Sequence, residues 1–346
     1  MTKMSAAVLH GPGDLRVEPV DVPAVAPGEV LIQVSICGIC MTDFHMYKWS
    51  FPVKTPVILG HELSGRVVDI GSNVTGFSVG DKVAVNPLLT CGACASCRSG
   101  RQNLCEHARA LGGAGEVIVN GGFARFTNVP FTSVSRIPED MSFEEGAFVE
   151  PVATCSHGVE MSHVRLGDAV VLIGAGAIGL IILQLLRMKG ASCIIVSDFI
   201  EERRKMAEQL GADLTIDPSV QDDVQVVKES TNGRGADVVI EAVGASSSVL
   251  QALKMVKKGG RVNIFGVAPT AAKIEVSPFD VYFREIEIVG TYALTAEDFR
   301  RSISLVHSRR IKTQPIITDR FPLERIREAF LQIEKKKGLK KHVLIA

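Results

Sequence analysis

The chain of 346 residues has no excess charge of either sign: Lys+Arg and Asp+Glu each number 38, for a net charge of zero. A nucleic-acid surface needs a basic stripe, so this balance argues against one. A long apolar run is missing too. The stretch around Leu180 to Leu186 falls far short of the roughly 20 residues that span a bilayer. The opening Met1-Thr2-Lys3-Met4-Ser5 has no apolar segment of the kind an export signal carries. Internal repeats and low-complexity segments are absent. The expectation is a cytoplasmic globular protein with neither nucleic-acid nor membrane partners. Its length exceeds what one core usually holds, so two domains are expected.

Cysteine, by contrast, is plentiful, with eight in all. In a reducing compartment thiolates serve metals more often than disulfides. Cys91-x-x-Cys94-x-x-Cys97-x7-Cys105 can close a tetrahedron around a structural zinc and leave no position open for chemistry. The intervening Gly92, Ala93, Ala95 and Ser96 are small enough to let the loop wrap tightly. Cys37, Cys155 and Cys193 sit in apolar surroundings, where buried packing is expected. A different cluster lies between Gly38 and Glu62. Cys40, Thr42, Asp43, His45, His61 and Glu62 combine sulfur, imidazole, carboxylate and hydroxyl. Such a mixture suits a catalytic zinc, which keeps one position open for water or substrate.

The first 140 residues read as β-rich. Glu29 to Ser35 alternates, and Leu63 to Ile70 and Lys82 to Val85 are bounded by turn residues. Ser142-Phe143-Glu144-Glu145 is a capping box that predicts a helix start. From Ala169 the pattern changes to continuous apolar strands separated by helices. Six strands (Ala169 to Ile173, Ser192 to Ser197, Leu214 to Ile216, Asp237 to Ile240, Arg261 to Phe265, Ile286 to Val289) imply a doubly wound α/β domain. Helices beginning at Thr295 and Pro322 and a strand at His342 to Ile345 are expected to return to the first domain. The boundaries expected are 1–153 with 291–346 for the metal-binding domain, and 154–290 for the dinucleotide-binding domain.

Gly174-Ala175-Gly176-Ala177-Ile178-Gly179 follows the first of these strands and opens a helix, the context that gives G-x-G-x-x-G meaning. Gly174 serves the tight turn, Gly176 the approach of a pyrophosphate, and Gly179 close packing of helix on sheet. Asp198 ends the second strand. A carboxylate there accepts from both adenosine ribose hydroxyls and repels a 2′-phosphate, so NAD is expected over NADP. Arg203 and Arg204 soften that preference.

Taken together, Gly38-Ile39-Cys40-x-Thr42-Asp43-x-His45, Gly60-His61-Glu62, the four-cysteine lobe, Glu150-Pro151 and the nucleotide fingerprint resemble the zinc-containing medium-chain alcohol and polyol dehydrogenases over essentially the full length. The resemblance implies an N-terminal GroES-like catalytic domain plus a Rossmann domain. It also implies catalytic-zinc ligands at Cys40, His61 and Glu150, with Glu62 beside the metal as a direct or water-exchanged ligand. Asp43 matches the acid that orients His61. Thr42 matches the hydroxyl that takes the substrate's proton, and His45 the exit of that proton relay. Ile178, Asp198 and Arg203 match the adenosine end of the cofactor. Phe265, Gly266, Val267, Thr291 and Tyr292 match the segments beside the nicotinamide. Relatives are homodimers or homotetramers.

Glu150-Pro151 favours a sugar alcohol or vicinal diol as substrate, with L-threonine or a simple secondary alcohol as the alternative. Sorbitol dehydrogenases tend to carry Arg after the segment matching Thr291-Tyr292, where this chain has Ala293-Leu294. They often have Tyr where Met46 stands, and threonine dehydrogenases have a Gly-Arg pair that is absent here. Met46, Trp49, Phe51 and Tyr292 are candidate pocket walls, although Trp49 and Phe51 suit lid or interface packing equally well. Two rivals are a zinc-finger-like nucleic-acid module and a zinc-free reductase or nucleotide-binding structural protein of the same fold. Zero net charge opposes the first, and the second has no need of Cys40, His61 and Glu150.

Overall fold

The computed structural model describes residues 2–114, 117–335 and 338–345. The chain divides into two units, Met1–Ala153 with Leu294–Ala346, and Thr154–Ala293.

The first unit opens with a hairpin of β1 (Lys3–Gly11) and β2 (Asp14–Asp21). Strand β3 (Glu29–Gly38) then enters a larger mixed sheet, and a short helix, α1 (Met41–Tyr47), follows it directly. Strand β4 (Glu62–Ile70) pairs antiparallel with β3, and β5 (Lys82–Val85) pairs with β4. The alternation read at Glu29 to Ser35 has its counterpart in β3, where Val30, Ile32 and Val34 are all fully buried. The capping box at Ser142 forms as expected, with the Ser142 hydroxyl accepting from the Glu145 amide. The boundary with the second unit falls inside α2 (Val149–Met161).

The second unit contains β6 (Ala169–Ile173), α3 (Ala177–Lys189), β7 (Cys193–Ser197), α4 (Glu201–Gln209), β8 (Leu214–Ile216), β9 (Ala236–Glu241), α5 (Ser246–Met255), β10 (Val256–Ile264), α6 (Pro278–Arg284) and β11 (Glu287–Gly290). The sheet order is β8-β7-β6-β9-β10-β11, all parallel. The strand order therefore reverses between β6 and β9, the switch point at which such folds bind ligands. Their apolar runs are buried on both faces, with Val170, Val171, Leu172, Ile194, Ile195, Val239 and Ile240 fully covered. Gly190 closes α3 in the left-handed conformation, φ 84°.

The return to the first unit comes at Leu294, slightly later than the 290/291 boundary expected. The cause is local. The Thr291 amide donates to Ile264 O at 3.2 Å and its hydroxyl to Asn263 Oδ1 at 2.9 Å, which ties this segment to β10. Next come α7 (Ala296–His307), β12 (Ile317–Pro322), α8 (Ile326–Glu334) and β13 (Lys340–Leu344). Strand β13 lies antiparallel to β3, with Gly38 opposite His342 and Cys37 opposite Val343. The chain's last strand thus sits beside the entry to α1.

Candidate active site

Cys40 is the N-cap of α1. Its sulfur accepts from the Thr42 amide at 3.5 Å, and its own amide donates to Asp43 Oδ2 at 2.8 Å. This is a capping box with a thiol in the usual hydroxyl role. Asp43 is fully buried. Its other oxygen accepts from the Gly60 amide at 3.0 Å and lies 3.4 Å from His61 Nδ1. One carboxylate therefore fixes the start of α1, the turn before β4 and the His61 ring, leaving His61 Nε2 for a metal. Gly60 has φ 90°, and a Cβ there would stand 2.8 Å from the Phe123 ring, so the turn requires glycine.

The ligand atoms of Cys40, His61 and Glu62 all lie within 4.8 Å of one another. A thiolate, an imidazole and a carboxylate so close together suit zinc, which binds them at about 2.0–2.3 Å. Glu150, in α2, is buried to 9% exposure but stands outside this three-residue cluster. Burial disfavours a charged His61, yet Asp43 and Cys40 outweigh it and hold the ring's pKa well above the ordinary histidine value. A cation in the triad takes the place of that proton, because a metal-bound imidazole is neutral.

Sequence reading did not single out Lys340. From β13 its ammonium reaches Glu62 Oε1 at 2.5 Å and the Ile39 carbonyl at 3.1 Å, with both ionic partners almost wholly buried. Burial opposes the charge, but Glu62, Cys40 and Glu150 raise the Lys340 pKa overall. The available signal was a pair of lysines, Lys340-Lys341, in an otherwise buried strand.

Thr42 and His45 are three residues apart on α1, and therefore neighbours on one face. Both are half-buried. The Thr42 hydroxyl is 3.6 Å from Cys40 Sγ, and His45 Nδ1 is 3.2 Å from the Ser50 hydroxyl. Met46, offered above as a pocket wall, is instead fully buried in the core of the first unit. It lies three residues after Asp43, on the helix face turned inward. Trp49 and Tyr292 are exposed, and Phe51 packs partly against the core.

The four-cysteine lobe assembles, with Cys91 Sγ 3.5 Å from Cys105 Sγ and 4.0 Å from Cys97 Sγ, and Cys94 Sγ 3.9 Å from Cys105 Sγ. Zinc–sulfur bonds of about 2.3 Å in a tetrahedron place sulfurs about 3.8 Å apart, so the set fits zinc. Backbone amides of Cys97 and Glu106 pull the Cys94 pKa down to about 6, while burial pushes Cys97 up to about 12. Of the remaining thiols, Cys37 and Cys155 are buried, whereas Cys193 is only half-buried. It begins β7 at the N-terminal end of the sheet.

The three glycines of the fingerprint differ in what surrounds them. Gly174 has φ 100°, a Cβ on Gly176 would stand in open space, and a Cβ on Gly179 would meet Gly174 O at 2.0 Å. The open side at Gly176 and the α3 N-terminus fit a pyrophosphate. Asp198 Oδ2 accepts from the Ala175 amide at 2.7 Å and Oδ1 from the Ile200 amide at 2.8 Å. Each carboxylate oxygen retains acceptor capacity for a ribose hydroxyl. Arg203 is 3.9 Å from Asp198 Oδ2, and Arg204 donates to the Asp198 carbonyl at 2.7 Å. Ile178, Phe265 and Gly266 are half-buried, and Val267 is exposed. Thr291 is held by Asn263, a buried residue that also donates to Gly158 O at 2.9 Å and whose signal in the sequence was only a polar break in an apolar strand.

A thiolate–imidazole–carboxylate triad, a four-thiolate lobe and a dinucleotide switch point define a zinc dehydrogenase. The chain matches the alcohol dehydrogenase GroES-like domain over residues 26–139 and the zinc-binding dehydrogenase family over residues 177–308. It is 34% identical to a sorbitol dehydrogenase of Bacillus subtilis, covering 94% of this chain and 92% of that one. With an L-threonine 3-dehydrogenase of Thermococcus kodakarensis it shares 35% identity, over 90% of this chain and 89% of the relative. A zinc-binding dehydrogenase from Sinorhizobium meliloti, solved with NADP bound, superposes with a TM-score of 0.94 at 36% identity, covering 99% of this chain and 100% of that structure. The chain belongs to the zinc-containing medium-chain alcohol and polyol dehydrogenase family, and is an NAD(P)-dependent alcohol dehydrogenase. Among the described residues no helix is long and apolar enough to cross a membrane.

Proposed function

We propose that this enzyme oxidises a secondary hydroxyl of a sugar alcohol or vicinal diol and passes the hydride to NAD. The observation that carries the reading is the meeting of Cys40, His61 and Glu62 within 4.8 Å, together with Glu150-Pro151 in the sequence. Zinc held there supplies a Lewis acid that lowers the pKa of an alcohol, and NAD supplies the hydride acceptor. The residues of the chain do the rest. Cys40 and His61 hold the metal, with Glu62 or Glu150 as the acidic ligand, and Asp43 fixes the His61 ring. Thr42 takes the hydroxyl proton, and His45 passes it to solvent. Burial lowers the His45 pKa, so the ring is neutral and able to accept a proton near neutral pH. Asp198 accepts from the adenosine ribose and disfavours a 2′-phosphate.

A second reading, L-threonine as substrate, is favoured by the similarity to the Thermococcus kodakarensis enzyme. The deciding experiment is an NAD-reduction screen across polyols, vicinal diols, threonine and simple secondary alcohols. Turnover of threonine alone would overturn the polyol reading. Replacing Cys40 by Ser should abolish turnover and lower zinc content from two per chain to one, with NADH binding retained. Full turnover by C40S at normal metal content would disprove the site.

We further infer that the chain assembles as a homodimer or homotetramer in the cytoplasm. Support for self-association comes from β11, an edge strand with Ile288 exposed, and from α6, which exposes Phe279, Tyr282 and Phe283. Open strand edges and apolar patches of this kind mark association surfaces. Eight free thiols, four of them in a zinc-fitting lobe, support a reducing compartment.

A further inference from the structure

Glu241 ends β9, one of the two strands at the switch point. Its side chain is wholly buried, and no ion pair holds it among the described residues, an unusual state for a carboxylate. Oxygen Oε1 accepts from the Val243 amide at 2.8 Å and the Gly244 amide at 2.8 Å, and the Ser248 hydroxyl lies 2.7 Å away. Oε2 is buried with no hydrogen-bond partner among the described residues. The backbone of the same residue works in the other direction: its carbonyl accepts from the Phe265 amide at 2.9 Å and the Gly266 amide at 2.8 Å. One residue therefore ties down both the turn after β9 and the turn after β10.

These two turns are in close contact with each other and with the glycine loop. A Cβ on Gly266 would stand 2.1 Å from Gly244 N, and a Cβ on Gly244 would stand 2.5 Å from Val267 O. One on Gly174 would stand 2.8 Å from a Val243 methyl. The turns after β9 and β10 thus meet backbone to backbone, the Val243 side chain packs on Gly174, and any shift of Val243-Gly244 is transmitted to both. Helix α5 begins just beyond, and Glu241 reaches its first turn through the Ser248 hydroxyl. A salt-bridged or neutral anchor would avoid burying an unpaired carboxylate oxygen. A charged acceptor gives stronger bonds to the amides and holds the turn more tightly.

We infer that Glu241 is a positioning residue for the dinucleotide. Its carboxylate pre-sets the Val243-Gly244 turn against Gly174 and Gly266, so that the cofactor meets a formed cradle. Pre-organisation of this sort appears in affinity, because the ordering cost is met before the ligand arrives. The inference rests on the dinucleotide reading of the second unit.

The test compares Glu241→Leu, which keeps volume and removes the acceptor, with Glu241→Gln, which keeps an acceptor oxygen and places an NH2 in the unpartnered position. NADH binding by fluorescence, KM for NAD, kcat at saturating NAD and the melting temperature are measured on the zinc-loaded full chain. E241L should weaken NADH binding and raise KM for NAD at least tenfold while kcat stays within twofold. E241Q should bind NADH within threefold of wild type even though its melting temperature falls, because the buried amide gains no partner. Affinity that tracks melting temperature across both variants would overturn the proposal and leave Glu241 a purely structural residue. If E241L fails to fold, E241Q decides: tenfold weaker NADH binding overturns the proposal. Failure of wild-type enzyme to bind NADH would instead sink the dinucleotide reading itself.

Discussion

Three buried side chains carry most of the local risk in this protein: Asp43, Lys340 and His342. Asp43 was legible in the sequence only through the family resemblance, as the acid that orients His61. Lys340 and His342 were not, since β13 reaches the site only through its pairing with β3. Replacing Lys340 by Met leaves Glu62 as a buried, unpaired carboxylate, and breaking such a pair costs about 3–5 kcal/mol. A metal cation beside Glu62 replaces part of the lost counter-charge. K340M should therefore melt well below wild type without zinc and recover disproportionately when zinc is added. An equal zinc-induced shift in both proteins would contradict this. His342 is fully buried, and among the described residues neither ring nitrogen has a hydrogen-bond partner. Burial, aided by Lys340, lowers its pKa to about 3. The unfolded chain takes up this proton near pH 6.5 and the folded chain does not, so His342 erodes stability as pH falls from about 6.5 toward 3. His342→Leu should move the acid-unfolding midpoint to lower pH, with little change near pH 8. An unshifted midpoint would show that the ring is not held neutral.

At the level of elements, sequence and structure agree best where a pattern is local. Strands β6 and β8 start and end where the apolar runs do, and α3 runs from the glycine turn to Gly190. The capping boxes at Ser142 and Thr295 form because each needs only a hydroxyl and an acid three residues apart. Helix α1 was harder to read. Its N-cap is a cysteine, and only the tertiary bonds of Asp43 to Gly60 and His61 show why it begins there. The contact between α3 and its preceding turn yields a sharp expectation. A methyl on Gly179 would stand 2.0 Å from Gly174 O, so Gly179→Ala must push the helix off the turn. NADH binding should weaken at least tenfold, with a lower melting temperature and unchanged zinc content. Wild-type NADH affinity in G179A would refute the tight packing of helix on strand.

For the molecule as a whole, the exposed face of the second unit is the feature with most consequence. Phe279 and Phe283 stack at 5.5 Å on α6, and Tyr282 beside them is 81% exposed. A two-fold contact repeats one patch on both partners, so a single substitution acts twice. Tyr282→Lys combined with Ile288→Lys should convert the proposed oligomer to monomer in sedimentation velocity, with zinc content unchanged. A monomeric wild type, or an unaffected variant, would exclude this face. The sequence by itself determined the doubly wound unit, the four-thiolate lobe and the glycine fingerprint, because each depends on residues close together in the chain. The tertiary structure decided that Glu62 lies beside Cys40 and His61, that Lys340 pairs with it, that Met46 belongs to the core, and that Glu241 ties the turns after β9 and β10 together. Those outcomes depend on strand pairing between distant segments, which sets what a buried charge meets and leaves no mark in local periodicity.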